Sequence, residues 1–153
     1  MKYKGCALFL IRLAVGVVFV YHGWAKVSDM SNTVAMFSGM GIPAFLTYIA
    51  AYTEFLGGIA LIVGFNTRIA ATLGFIVMSV AFCKVHWANG FNIMHGGYEY
   101  AMVLLANFAA LVIVGGGRHS MDAMYGTCML DRVGWCTHES CDCKKGDKKC
   151  DCC

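Results

Sequence analysis

Four stretches of mostly apolar residues constrain this sequence more than any other feature. A helix needs about 20 such residues to cross the hydrocarbon of a bilayer. Because lipid offers the backbone no hydrogen-bond partners, stretches of this kind are restricted to helices that pack together within the membrane. They run from about Cys6 to Lys26, Ala44 to Phe65, Arg68 to Trp87 and Tyr98 to Val114. The sequence therefore predicts an all-α integral membrane protein, a four-helix bundle whose first partner is the lipid bilayer.

The composition agrees with a membrane location and excludes one class of partner. The chain is 59% hydrophobic and only 14% charged, whereas soluble domains carry about 25% charged residues. The formal net charge is only +3, and the basic residues are scattered and form no stripe. We therefore expect no nucleic-acid partner.

The distribution of Lys and Arg predicts the orientation of the bundle. With the N-terminus inside, the outer side carries only Lys26 and Lys84 near the helix ends. The inner side carries five basic residues: Lys2, Lys4, Arg68, Arg118 and Arg132. Because basic residues concentrate in cytoplasmic loops, both termini are predicted to be cytoplasmic.

The connections between the apolar stretches differ in kind. Residues 28–41 are predicted to form a short helix at the membrane surface, with Asp29 as one candidate N-cap. Asn66 and Thr67 form a tight hairpin in which Thr67 is the expected N-cap of the following helix. Residues 88–97 are rich in Gly and Asn, which predicts an irregular loop.

Ionisable residues interrupt the apolar stretches, and each costs roughly 2.5–3.5 kcal/mol at the centre of a membrane helix. We expect Arg12 to form an ion pair with Glu54, which either serves function or simply locks two helices together. The other ionisable residues, three histidines, two lysines and Glu99, lie near the predicted outer ends of the helices. There they could converge on one pocket that holds a metal or passes protons to a quinone. In the alternative interpretation, Lys26 and Lys84 only extend their ammonium groups to the interface. The candidate intramembrane cluster is Arg12, His22, Lys26, Glu54, Lys84, His86, His95 and Glu99.

The order of several short motifs between residues 6 and 122 resembles the DoxX family. The motifs are Arg12, Gly16, Phe19, His22-Gly23 and Lys26, then Gly41-Ile42-Pro43, Glu54-Phe55-Leu56-Gly57-Gly58 and Gly64-Phe65-Asn66-Thr67-Arg68, and finally His86, Gly90-Phe91, Glu99-Tyr100 and Gly115-Gly116-Gly117. The resemblance implies a small four-helix protein of a bacterial or archaeal cytoplasmic membrane. Some members are associated with thiosulfate–quinone oxidoreduction or with redox and thiol-stress systems. Typical members end soon after the fourth helix, so the remaining chain is a departure.

A cysteine-rich tail follows the bundle, which divides the chain into a transmembrane domain at 1–125 and a cytoplasmic tail at 126–153. The spacing is similar to that of metallothioneins, whose clustered thiolates bind Cu(I) and Zn(II). Four lysines between the thiol groups would stabilise the thiolates, and the tail should be disordered without metal. The candidate metal ligands are Cys136, His138, Cys141, Cys143, Cys150, Cys152 and Cys153. A dithiol–disulfide role and an inert tail are the alternatives.

Three functions remain open on these residues. The first is the handling of soft metal, copper or zinc, or of thiol and redox stress, with the tail as metal binder. The second is a membrane subunit of a quinone-linked oxidoreductase. Because the chain has no dinucleotide-binding fingerprint, a redox partner protein would then supply the electrons. The third is a small metal or solute transporter, which would have to act as a homo-oligomer because four helices are few for a transport path.

Overall fold

The computed structural model describes residues 4–117 and 120–122. This part of the chain is built from helices and contains no β-strand. The α-helices are α1 (Lys4–Ser28), α2 (Met30–Gly39), α3 (Ala44–Val63), α4 (Thr67–Ala81) and α5 (Glu99–Val114). Between α4 and α5 the chain forms a π-helical turn at Phe82–His86 and two 3₁₀ turns at Trp87–Asn89 and Ile93–His95. The predicted all-α class is confirmed.

Three helical segments of the described chain are long and apolar enough to cross a membrane. They are Gly5–Ser28, Ala44–Val63 and Thr67–Asn89, the last of which joins α4 to the turns that follow it. Helix α5 is apolar but has only 16 residues, about 24 Å of helix. It lies antiparallel to α4, with Gly74 against Phe108 and Phe82 against Tyr98. The chain therefore passes through the membrane several times, as predicted, while α5, the fourth predicted span, is apolar but shorter than the three candidate spans.

The four long helices form a closed ring in which each helix packs against its neighbours. Helix α1 packs along α3, α3 along α4, α4 along α5, and α5 returns to α1. The Phe19 and Phe108 rings meet edge to face with centroids 4.6 Å apart, which joins α1 to α5 in the centre of the ring. Val15, Leu61 and Leu111 belong to the same core. The large apolar side chains outside the ring are exposed, as expected for a surface in contact with lipid.

Glycines bring the backbones of α1 and α3 into direct contact. A Cβ on Gly23 would lie 2.4 Å from the backbone nitrogen of Phe55, and one on Gly58 would lie 2.7 Å from that of Val20. Membrane helices depend on such close packing because lipid provides no hydrophobic force that would press them together. The register of α1 against α3 is therefore fixed by backbone contact, and this register places the polar side chains described below.

The short helix α2 lies beyond the outer end of α1, where the sequence predicts a surface helix. The carboxylate of Asp29 accepts hydrogen bonds from the backbone and side-chain nitrogens of Asn32, so the predicted cap is confirmed. The hydroxyl of Thr33 donates to the backbone oxygens of Lys26 and Asp29 and ties α2 to the end of α1. Pro43 then precedes the first residue of α3.

Candidate functional site

An ion pair between Lys26 and Glu54 lies within the bundle. The Lys26 ammonium donates to Glu54 Oε2. Glu54 is only 4% exposed and lies ten residues into α3, about 15 Å from its outer end. The Lys26 side chain starts near the end of α1 and remains 23% exposed. The pair thus joins the outer end of α1 to the middle of α3.

The direction of helical side chains explains why these two residues meet. Side chains lean toward the N-terminus of their own helix. In the predicted orientation α1 runs outward, so Lys26 leans toward the membrane centre, whereas α3 runs inward, so Glu54 leans toward the outer side. The two charges therefore approach each other across the α1–α3 contact.

The predicted ion pair between Arg12 and Glu54 is wrong. Arg12 Nη1 donates to the backbone oxygen of Gly116, at 2.8 Å. It also lies beside Gly64, where a Cβ would be 2.6 Å from it. Gly64 lies ten residues along the chain from Glu54, a distance of about 15 Å in a helix. In addition, the Arg12 and Glu54 side chains lean toward opposite ends of the bundle, so no rotamer change could bring them together.

The other predicted polar residues occupy separate places at the outer end. His86 Nδ1 is 2.8 Å from the oxygen of Gly96, and Glu99 Oε2 accepts from the backbone nitrogen of Ile93 at 3.4 Å. His22, Lys84 and His95 are exposed. Within residues 4–117 and 120–122, no three His, Cys, Asp or Glu side chains are close enough to hold a metal ion. The predicted outer pocket is therefore not assembled as a metal site.

An aromatic cluster orders the loop that carries His86 and Glu99. Trp87 stacks on Tyr98 with centroids 5.4 Å apart, and Phe82 and Phe91 contact the same tyrosine ring at 5.2 and 5.6 Å. Gly97 has no room for a side chain, because a Cβ there would lie 2.3 Å from the oxygen of Gly90. The predicted irregular loop is thus compact, and it holds Glu99 at the start of α5.

The inner end of the bundle contains a polar site that the sequence did not reveal. Asp122 Oδ1 accepts from the backbone nitrogen of Asn66 at 2.7 Å, and Oδ2 accepts from that of Thr67 at 2.9 Å. The backbone nitrogen of Asp122 in turn donates to the oxygen of Gly64 at 3.1 Å. Asp122 therefore caps α4, although it lies 55 residues further along the chain.

This contact corrects the prediction that Thr67 is the N-cap of α4. The N-cap position is held by Asn66, which has the left-handed conformation with φ 46° and whose side chain makes no capping hydrogen bond. Thr67 is the first helical residue, and its hydroxyl is buried. In the sequence, Asp122 is visible only as an acidic residue that follows three glycines. Because it lies so far along the chain from α4, no pattern near residues 66–67 indicates that it caps this helix.

Glycines allow the chain that follows α5 to pack closely at the inner end of the bundle. Gly115 and Gly117 have φ values of 86° and 74°, which only glycine adopts without strain. A Cβ on Gly116 would lie 2.5 Å from the hydroxyl of Thr67. Ser120, which is 2% exposed, donates its hydroxyl hydrogen to the oxygen of Gly117 at 2.7 Å.

An open apolar groove of about 530 Å³ runs between α3 and α4 on the lipid-facing side. Tyr52, Thr53, Leu56, Ala60 and Leu73 are among the residues that line it. Such a surface suits the apolar chain of a lipid-soluble molecule.

The predicted metal ligands of the tail lie outside the described residues. They are Cys136, His138, Cys141, Cys143, Cys150, Cys152 and Cys153. In the described part, Cys6 and Cys83 are exposed free thiols. The metal hypothesis for the tail therefore stays a prediction.

Comparisons with known proteins agree on the membrane domain. The DoxX family model matches residues 7–87, which extend from α1 to one residue beyond the π-helical turn. "Inner membrane protein YqjF" of Escherichia coli (strain K12) is 27% identical over 125 residues, 80% of this chain and 95% of the relative. "Putative oxidoreductase CatD" of Bacillus subtilis (strain 168) is 30% identical over 106 residues, 69% of this chain and 77% of the relative. An uncharacterised protein of Haemophilus influenzae is 32% identical over 126 residues, 79% of this chain and 92% of that protein. No solved structure matches.

Proposed function

Because the chain belongs to the DoxX family of membrane proteins, we propose that its bundle anchors a soft-metal-binding tail at the inner surface of the membrane. The protein would handle copper or zinc, or the thiol stress that these metals cause. The observation that carries this proposal is the density of soft ligands, since six cysteines and one histidine lie between residues 136 and 153.

The chemistry of the tail favours metal over a structural role. Thiolates are soft ligands that prefer Cu(I) and Zn(II) to harder ions. Lys144, Lys145, Lys148 and Lys149 are interspersed with the cysteines, and nearby cations lower the cost of forming thiolates. Asp122 is bound at the end of the bundle where α1 begins, the end predicted to be cytoplasmic. A reducing compartment would keep the thiols free for metal.

Removal of the tail is expected to abolish metal binding. Full-length protein purified anaerobically should retain copper or zinc, whereas protein truncated after Tyr125 should retain none, as measured by elemental mass spectrometry. The matched control is the Cys6→Ala/Cys83→Ala variant, which removes the two bundle thiols and should keep its metal. Equal metal in the full-length and truncated proteins would refute the tail as the site.

A second candidate function is a membrane subunit of a quinone-linked oxidoreductase. Two observations favour it: the Lys26–Glu54 pair, whose carboxylate is buried, and the apolar α3–α4 groove, which Tyr52 helps to line. A relative carries the description of an oxidoreductase. A quinone takes up two electrons and two protons when it becomes a quinol, so an ammonium–carboxylate pair with limited exposure is suitable for proton delivery. The electrons would come from a partner protein.

Glu54→Gln is expected to weaken quinone reduction by the assembled complex at least tenfold, because the amide cannot relay a proton. The measurement is quinone reduction in membranes that contain the partner. Glu99→Gln serves as the matched control, since Glu99 is the first residue of α5 and its carboxylate accepts from the backbone nitrogen of Ile93. Failure of the purified protein to bind any quinone, alone or with partners, would remove this candidate.

A further inference from the structure

The α4 N-terminus at the inner end of the bundle has the donors of an anion site. We propose that this is a binding site for a small oxyanion of the carboxylate or phosphate class, and that Asp122 fills the site as an internal ligand. The site is separate from the Lys26–Glu54 pair and from the cysteine tail, and it does not depend on the function proposed above.

The first part of the site is the start of α4. The backbone N–H groups of Asn66 and Thr67 point at different oxygens of one carboxylate, at 2.7 and 2.9 Å. Helix N-termini bind anions in this way because unpaired N–H groups and the helix dipole act together. Helix α4 has no acidic residue in its first turn and no side-chain cap of its own. The positive end of α4 is thus neutralised only from outside the helix.

The second part is a donor that Asp122 leaves unused. The Thr67 hydroxyl is fully buried and, within the described residues, has no hydrogen-bond partner. It faces Gly116, where a Cβ would lie only 2.5 Å from it. A buried hydroxyl without a partner is unfavourable. The two carboxylate oxygens already accept from two N–H groups, whereas a tetrahedral oxyanion would offer further oxygens to this third donor.

The third part is a buried positive charge. Arg12 is 1% exposed, and its Nη1 donates to the oxygen of Gly116 at 2.8 Å, on the same glycine that the Thr67 hydroxyl faces. Arg12 also lies beside Gly64, whose oxygen accepts from the backbone nitrogen of Asp122. Two backbone N–H groups, a hydroxyl and a guanidinium therefore lie together, a donor set that suits phosphate.

The attachment of Asp122 is compatible with exchange for a free ligand. The backbone of Asp122 adds one hydrogen bond, to Gly64, and two glycines with positive φ separate the segment from α5. Glycine permits large backbone rotations at little steric cost. Movement of Asp122 would open the site toward the side that holds the free phosphates of the cytoplasm and the phosphate headgroups of the inner leaflet.

Chemical rescue of Asp122→Ala tests the proposal with the full-length chain in an uncharged, phosphate-free detergent. The variant should unfold at a lower temperature than the wild type. Sodium phosphate at tenfold excess over its dissociation constant should raise that temperature by about 4 °C. Sodium chloride at equal ionic strength should not, and the wild type should respond less than the variant, because phosphate must first displace Asp122. Thr67→Val/Asp122→Ala should respond less, since it lacks the third donor.

One further experiment identifies the source of the oxyanion, and a second variant keeps the test valid if Asp122→Ala misfolds. In nanodiscs of phosphatidylcholine, rescue by inorganic phosphate indicates a soluble ligand, whereas rescue only by added phosphatidic acid indicates a lipid headgroup. If Asp122→Ala does not fold, Asp122→Asn, which keeps the volume of the side chain, replaces it. The proposal is overturned if chloride stabilises as well as phosphate, if Thr67→Val/Asp122→Ala responds equally, or if neither Asp122 variant is stabilised by any phosphate source.

Discussion

Replacement of Lys26 by Met is expected to destabilise the protein by about 3 kcal/mol, and replacement of Glu54 by Leu by less. Lys26 lies near the outer end of α1 and is 23% exposed, so without its partner it can move its ammonium to the interface. Glu54 is 4% exposed near the middle of α3 and has no such route. Loss of Lys26 therefore leaves a carboxyl group stranded in the core, whereas loss of Glu54 leaves a cation that can reach water.

The double variant Lys26→Met/Glu54→Leu provides the decisive comparison. If the pair acts as a unit, this variant should regain most of the stability, because two apolar side chains replace two buried charges. The free energy of unfolding of the wild type, both single variants and the double variant can be measured in bicelles as a double-mutant cycle. Lys84→Met is the control, since Lys84 is an exposed lysine in the π-helical turn that follows α4. Additive effects in the cycle would show that the two charges do not stabilise each other.

The helices of this fold were predictable because the bilayer imposes a simple rule on the sequence. A spanning segment must be apolar and about 20 residues long, and the approximate positions of α1, α3 and α4 follow from that rule. Helix α4 ends at Ala81, however, and the chain continues as a π-helical turn, whereas the sequence predicts one helix as far as Trp87. Asp29 and Pro43 then mark where α2 and α3 begin, through local chemistry that is visible in a few residues.

The partners of the charged residues were less predictable, since depth along a helix is not enough to assign them. Arg12 and Glu54 seemed close in depth, but the direction in which each side chain leans depends on the direction of its helix. Lys26 meets Glu54 only because Gly23 and Gly58 set the register of α1 on α3. This register comes from packing between distant segments and has no signature in either segment alone.

The residue that caps α4 at the inner end of the bundle was even harder to predict from the sequence. The hairpin at residues 66–67 contains an asparagine and a threonine, both common N-caps, yet neither side chain caps α4. The real cap is the Asp122 carboxylate, which becomes available only when α5 packs beside α4 and returns the chain to the α3–α4 turn. Long-range caps of this kind follow from the assembled bundle.

Gly58→Leu is expected to lower stability by at least about 3 kcal/mol, because a larger side chain here cannot be accommodated by a simple rotamer change. A Cβ on Gly58 would lie 2.7 Å from the nitrogen of Val20 and 2.9 Å from the oxygen of Gly16. Both atoms belong to the backbone of α1, so α1 would have to separate from α3. The same separation would break the Lys26–Glu54 pair and remove the support for Glu54.

Gly57→Leu is the matched control, since Gly57 precedes Gly58 in the same helix and the change in helix propensity is the same. Apart from its chain neighbours and the nearby backbone of α3 itself, no atom of the described residues lies within 4 Å of a Cβ on Gly57, so its effect should stay within about 0.5 kcal/mol. Unfolding of both variants in bicelles gives the difference directly. A damaging Gly57→Leu together with a neutral Gly58→Leu would contradict the α1–α3 packing. Such a result would mean that another molecule covers the face of α3 that carries Gly57. Loss of an oligomer in Gly57→Leu alone would identify that molecule as a second copy of the chain.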